Sequence, residues 1–285
     1  MIELITWRRG DRRAPHKPLL ILLALKSLQG GHRWISWDDV KVSLSKLLRT
    51  FGHDLSPKPQ YPFIRLRTDG FWLIQNSEYL EYNISGDATL ASLDRINPKA
   101  GFSDEFIWKY TEQHGPDWIL RLVDHILWCE FPETIHEDII QAIGLSILND
   151  RIVLKRNRSK EFREQVLELY NYECAICGYS GSLKGNIVGV EAAHIKWFNY
   201  GGPDHFQNGL ALCNMHHKLL DVGAIGISDD YRVLVSPKFS GRGIKSIVLD
   251  YNGSAIKLPR QRSFATEPEI QYIQWQRREV FEDWA

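Results

Sequence analysis

No stretch of the chain approaches about 18 apolar residues without a charge, so it offers no membrane-spanning helix. Charges at Arg8, Arg9 and Asp11 arrive too early for the apolar core of a secretory leader, and a cytoplasmic location is the expectation. Low-complexity segments and internal repeats are absent, which excludes solenoids and arrays. Cysteine is scarce, with four in 285 residues (Cys129, Cys174, Cys177, Cys213), too few for a disulfide scaffold. In a reducing compartment the Cys174-x-x-Cys177 pair reads as metal ligation, while Cys129, far away in a helical stretch, reads as a core residue. Net charge is also lacking, at zero overall. The distribution is uneven, however: residues 1–70 hold 13 Lys/Arg against 6 Asp/Glu, and residues 71–150 hold 4 against 14. Nucleic acid responds to a local basic face, not to the sum over the chain.

What is present is a soluble composition, 44% hydrophobic and 25% charged, in a chain long enough for two cores. Apolar spacing predicts a helix after Pro15 that stops at Gly30-Gly31, and a second over 37–51 with Val40, Leu44, Leu47, Leu48 and Phe51 on one side. Phe63 and Leu66, then Phe71 and Leu73 across Thr-Asp-Gly, read as a β-hairpin. Helices are expected within 104–128 and over 136–149. A charged boundary follows at 151–161, and a helix over 162–170 leads into the cysteines. Downstream, 225–236 reads as strand–turn–strand, with further short strands to about 258 and a C-terminal helix. The fold class is therefore α+β: a helix-rich domain over 1–150, a linker over 151–161 and a second domain over 162–285.

Chemistry concentrates between Cys174 and Gly223. Cys174 and Cys177 are matched 36 residues later by Cys213 and His216, a Cys-x-x-Cys…Cys-x-x-His set suited to a closed tetrahedral Zn²⁺. Such a site supports folding and leaves no coordination position for chemistry. His217 follows His216 directly, so the two face different ways, and His217 is free to face a second metal. Asp221 lies one helical turn on; it either helps to hold that metal, directly or through water, or serves as a structural carboxylate. His194 ends the β-like run IVGVEAAHI and suits a general base for water attacking a phosphodiester. Asn208, in DHFQNGLALC, is placed to hold the loop and His194 in register.

EAAHI…NGLALC..HH..LD.G resembles the HNH endonuclease family, in its McrA-like branch with a ββα-metal core. The resemblance implies His194, Asn208 and His217 as the signature triad, Cys174, Cys177, Cys213 and His216 as the zinc set, Mg²⁺ or Mn²⁺ as catalytic ion, and products with 5′-phosphate and 3′-hydroxyl ends. Many relatives carry an acid immediately before the first histidine. Here that residue is Ala193, and Glu191, in a strand, would face away from His194.

In the N-terminal half, Arg12, Arg13, His16 and Lys17 offer cations for phosphates, in a register set by Pro15 and Pro18. Tyr61, Pro62 and Phe63 offer rigid apolar surface beside Arg65 and Arg67. Such surroundings are compatible with a phosphate in which sulfur replaces one oxygen, because sulfur accepts hydrogen bonds poorly and loses less on desolvation. APHKPLLILLAL followed by YPFIRLRTDGFW resembles the sulfur-binding domain of phosphorothioated-DNA-dependent restriction endonucleases, a family that places this domain before an HNH core. The resemblance implies a type IV-like restriction endonuclease acting on phosphorothioate-modified double-stranded DNA, with RRAPHK and YP near the sulfur. Two strands to cut make a homodimer a reasonable expectation. The C-terminal helix with Tyr272, Trp275 and Phe281 either supplies its interface or packs on its own domain. Rival readings are an HNH enzyme directed at methylated or hydroxymethylated bases or an unmodified sequence, and a DNA-binding module whose HNH fold is scaffold only.

Overall fold

A computed structural model describes residues 14–52, 56–145, 160–259 and 266–283. Arg12, Arg13 and most of the 151–161 segment lie outside them. The chain divides into two compact units, Met1–Leu154 and Lys155–Ala285.

The first unit is built around α1 (His16–Gln29). Pro18, Leu19, Leu20, Ile21, Leu22, Ala24 and Leu25 are all buried, an apolar surface too wide for one partner. It therefore sits centrally, touched by four other helices. Pro15 and Pro18 are tolerated because the first turn has no intrahelical acceptors for its N–H groups. After β1 (Ile35–Ser36), α2 (Trp37–Phe51) begins where Ser36 Oγ accepts the Asp39 amide, with Asp38 and Asp39 at the positive end of the helix. Its buried stripe is Trp37, Val40, Leu44, Leu47, Leu48 and Phe51, the spacing read from the sequence with Trp37 added.

The expected hairpin is not formed. Residues 60–65 are α3 (Gln60–Arg65), extended by a 3₁₀ turn over Leu66–Asp69 and closed at Gly70 with φ 82°. Buried Pro62, Phe63 and Leu66 are spaced by one and three residues, a helical stripe and not an alternation, and Pro62 has no N–H for a ladder. Only β2 (Trp72–Ile74) is a strand, and its partner is distant. After α4 (Leu90–Ile96), β3 (Lys99–Phe102) lies between β1 and β2, antiparallel to both. A Cβ on Gly101 would stand 2.2 Å from the Arg33 carbonyl, so the close approach there requires glycine. The 104–128 helical stretch is two helices, α5 (Asp104–His114) and α6 (Trp118–Glu130), broken at Gly115-Pro116. α7 (His136–Ile143) stops at left-handed Gly144, and the last residues of the helix expected over 136–149, 146–149, lie outside the described residues. Cys129, on α6, is half-buried beside His125.

In the second unit α8 (Lys160–Leu169) packs on a two-stranded ribbon. A small hairpin, β4 (Gly181–Leu183) with β5 (Asn186–Val188), precedes that ribbon, β6 (Val190–His194) paired antiparallel with β7 (Gly209–Cys213). α9 (Asn214–Asp221) follows at once, completing β–β–α. β8 (Ile225–Ile227) and β9 (Val233–Val235) form the expected strand–turn–strand. The further strands to 258 reduce to a 3₁₀ turn at Leu249–Tyr251 and one bridge between Arg232 and Ala255. α10 (Ile270–Glu279) packs back on its own unit: Gln276 Nε2 donates to the Leu220 and Ile225 carbonyls, and Trp275 meets Trp197 and Tyr200.

Because Leu20 is fully buried at the centre of the first unit, Leu20→Ala is expected to destabilise it by roughly 2–5 kcal/mol. Urea denaturation followed by tryptophan fluorescence measures this.

Candidate functional site: a metal knuckle beside two histidine pairs

Cys174, Cys177, Cys213 and His216 bring one donor atom each to within 4.8 Å of all the others, and they are the one such cluster among the described residues. Chain direction explains the convergence. The first pair precedes the ribbon, and the register Val190↔Cys213 returns the second pair to the same end. The Cys177 and Cys213 sulfurs lie 4.0 Å apart, and His216 Nδ1 lies 3.5 Å from Cys174 Sγ and 3.1 Å from Cys213 Sγ. A tetrahedral ion with the usual Zn–S and Zn–N bond lengths separates its ligands by about 3.5–3.8 Å, so the donor set fits a metal. His216 Nε2 donates to the Ile247 carbonyl at 3.0 Å, which leaves Nδ1 as the ligand nitrogen. Hydrogen bonding from Cys213 pulls the Cys174 thiol down to about 3, whereas Cys213 itself is pushed up by its bond to Cys174, and burial raises Cys177. Thiols this close oppose one another's ionisation, and a bound dication is what would allow all three to ligate as thiolates.

His194 stands at the end of β6, with its ring stacked on Phe162 of α8 at 4.2 Å between centroids. Its Nε2 donates to Asp204 Oδ1 at 2.8 Å, and both side chains keep some exposure, 16% and 34%. Sequence reading missed Asp204. Its signal was present in GGPDHFQN, an acid in the loop that Asn208 closes, but nothing in the spacing pairs it with a residue ten positions earlier.

Asn208 is fully buried. Its Oδ1 accepts the Lys196 amide at 2.9 Å, and its Nδ2 donates to the Lys196 and Pro203 carbonyls. A Cβ on Gly202 would strike the Lys196 carbonyl at 1.9 Å, so the loop from β6 to β7 is drawn tightly over this amide. Asn208 therefore positions the chain directly after His194 and does not reach solvent.

His217 and Asp221 are buried on α9, 4% and 3% exposed. His217 Nδ1 meets Glu191 Oε2 at 2.7 Å, and Nε2 lies 3.4 Å from Asp221 Oδ2. An imidazole flanked by carboxylates is a donor set for a hard divalent cation. Glu191 does face away from His194, and in doing so it reaches His217.

In the first unit, Tyr61 lies against the Arg65 guanidinium at 4.6 Å, with Lys58 Nζ at 5.9 Å from the same ring. Arg65 is gripped by two 2.7 Å bonds to Asp87, whose carboxyl it holds below the ordinary range, yet its side chain remains 49% exposed. Three residues expected at the DNA surface, Lys17, Pro18 and Pro62, are drawn into the unit. Lys17 closes on Asp69 at 2.7 Å with 13% exposure, and Pro18 is buried in the core, as is Pro62. The run of buried apolar residues from Pro18 to Leu25 draws the first turn of α1 inward. His16, half-buried, opens that helix.

The model of the ScoMcrA-like DNA sulfur-binding domain matches residues 1–148. The chain belongs to this family. The HNH endonuclease model matches residues 174–228, so the sulfur-binding domain is joined to a DNA endonuclease domain. No curated protein matches. Solved structures similar to the chain include the sulfur-binding domain of ScoMcrA complexed with phosphorothioated DNA, at 22% identity and TM-score 0.41, covering 48% of this chain and 90% of that one. The sulfur-binding domain of SprMcrA complexed with phosphorothioated DNA matches at 18% identity and TM-score 0.40, covering 50% and 88%. The type IV phosphorothioation-dependent restriction endonuclease ScoMcrA matches at 22% identity and TM-score 0.39; the match covers 45% of this chain and only 26% of that larger enzyme. No helix among the described residues is long and apolar enough to cross a membrane.

With three thiols and one imidazole meeting at the knuckle, Cys177→Ser or prolonged chelation is expected to remove its metal and unfold the second unit. Metal content by atomic emission and circular dichroism before and after chelation report the outcome.

Proposed function

We propose that the chain is a type IV-like restriction endonuclease that recognises phosphorothioate-modified double-stranded DNA through residues 1–150 and hydrolyses its backbone at the HNH site in residues 162–285. The observation that carries the reading is the union in one chain of a sulfur-binding domain match over 1–148 and a complete HNH signature beside a Cys₃His knuckle. Solved relatives of the first domain are complexes with phosphorothioated DNA, which supports the same ligand here.

In the reader, Tyr61 and the neighbouring Arg65 supply flat apolar surface edged by positive charge, the combination that favours a soft sulfur on an anionic phosphate. Arg12, Arg13 and His16 stand in the proposal as further phosphate contacts. Lys17, closed on Asp69, and buried Pro18 fix the start of α1.

In the nuclease, His194 accepts the proton of the attacking water. Asp204 holds the Nε2 edge of its ring, and Phe162 fixes the ring plane, so one geometry is presented to the nucleophile. Asn208 keeps the loop carrying Asp204 closed. The knuckle of Cys174, Cys177, Cys213 and His216 would hold structural Zn²⁺, while His217, with a carboxylate beside its ring, would hold Mg²⁺ or Mn²⁺. When bound, that ion supplies Lewis-acid stabilisation of the charge that develops on the phosphorus oxygens and the leaving oxygen. Cleavage of both strands calls for two such sites, supplied by a homodimer.

A gel-shift titration at near-physiological salt, comparing one short duplex with and without a phosphorothioate on each strand, is expected to show at least about ten-fold preference for sulfur, a difference near 1.4 kcal/mol. Equal binding would remove the sulfur assignment and leave an HNH nuclease with a different target. Substituting His194→Ala is expected to abolish cutting in a metal-supplemented cleavage assay while leaving that gel shift intact. Unchanged cutting would exclude His194 as the base.

A further inference from the structure

The position immediately before the first histidine, where many HNH enzymes carry a metal-binding acid, is Ala193, fully buried in the core of the second unit. Along β6, side chains alternate between faces, so Glu191 and Ala193 share one face while His194 takes the other. Glu191 is thus one pleat earlier on the same side as the missing acid. Its carboxylate is also the one that meets Nδ1 of His217 across the ribbon–helix junction.

We infer that Glu191 supplies the carboxylate ligand that position 193 lacks, and that Glu191 and His217 Nδ1 together hold the catalytic divalent cation, with Asp221 outside the coordination shell. This rests on the reading of the second unit as a metal-dependent nuclease.

Three observations separate the two carboxylates. They approach opposite edges of one imidazole, Glu191 at Nδ1 and Asp221 at Nε2, and the two ring lone pairs diverge too far to serve a single ion. On the Nδ1 edge, the Glu191 oxygen and the nitrogen are 2.7 Å apart. Adjacent ligands on an octahedral Mg²⁺ or Mn²⁺, each about 2.1 Å from the ion, stand about 3 Å apart, so a shift of a few tenths of an ångström seats the ion between them. Exposure then decides which edge is used. The Glu191 side chain is 44% exposed and that of Asp221 is 3% exposed. An ion of this class keeps several waters and must meet a phosphate, which the Glu191 edge permits and the Asp221 edge does not. Asp221 Oδ2, 3.4 Å from Nε2, instead stands behind the ring, where a carboxylate commonly orients a metal-bound histidine.

The test is a Mn²⁺ titration of the full chain with its knuckle metal in place and no DNA, with free Mn²⁺ followed by electron paramagnetic resonance. Wild type is expected to bind one Mn²⁺ per chain. Glu191→Gln, which keeps the shape and a hydrogen bond to His217, is expected to weaken that binding at least about ten-fold. Glu191→Asp is expected to recover part of the loss. Zinc content and the phosphorothioate gel shift are expected to match wild type in both variants, which establishes that they are folded. If Mn²⁺ binds Glu191→Gln as tightly as wild type, the assignment of Glu191 is overturned while the metal-dependent reading stands. If wild type takes up no Mn²⁺, that reading is lost and this inference with it. Should Glu191→Gln lose its zinc, Glu191→Asp and His217→Gln carry the comparison: undiminished Mn²⁺ binding in both overturns the inference.

Discussion

The second unit depends on four donor atoms meeting within 4.8 Å. Strands this short, five residues in β6 and five in β7, hold little by hydrogen bonding alone. A metal held by these four donors would fix the register Val190↔Cys213, and with it every pair up to His194↔Gly209. The knuckle also orients α9. Once Nδ1 of His216 is turned toward the thiolates, the next residue on the helix is turned elsewhere, and His217 arrives beside Glu191. The knuckle thus sets where His217 stands on α9 and, through the ribbon register, where His194 ends β6.

Two loops of different character place the remaining groups. Asn208 replaces missing backbone partners inside the β6–β7 loop, with three hydrogen bonds from one buried amide. The loop so closed carries Asp204 back to His194. The turn after α9 is held through Gln276, whose amide joins the last turn of α9 to β8, and the aromatic group of Trp197, Tyr200 and Trp275 closes the same side. α10 is therefore part of this unit's own core. The first unit obeys a different constraint, an apolar helix that must be covered all round. Covering it pulls Lys17 onto Asp69 and leaves Tyr61 and Arg65 at the surface, braced by Asp87.

Elements with strong local periodicity were legible in the chain: α1, α2, α8, α10 and the β8–β9 pair all fall where the spacing of apolar residues puts them. The error at 61–74 arose because a short apolar run carries no clear period, and its outcome was decided by a strand, β3, about 30 residues away. At the site, Cys174, Cys177, Cys213 and His216 were readable as a set because metal ligation imposes a local spacing. Asp204 was not, since an acid in a loop has no period, and its partner is fixed only by how the loop closes.

The sequence by itself determined the donor types, their order and the two family patterns, because these are local: a ligand pair needs its two-residue gap, and a helix needs its stripe. Tertiary structure alone decided which carboxylate each histidine meets. Pleat alternation sends Glu191 to His217 and His194 to the other face, and loop closure delivers Asp204 to His194. Neither pairing follows from spacing along the chain, because each is set by the packing of a helix or loop against a strand pair.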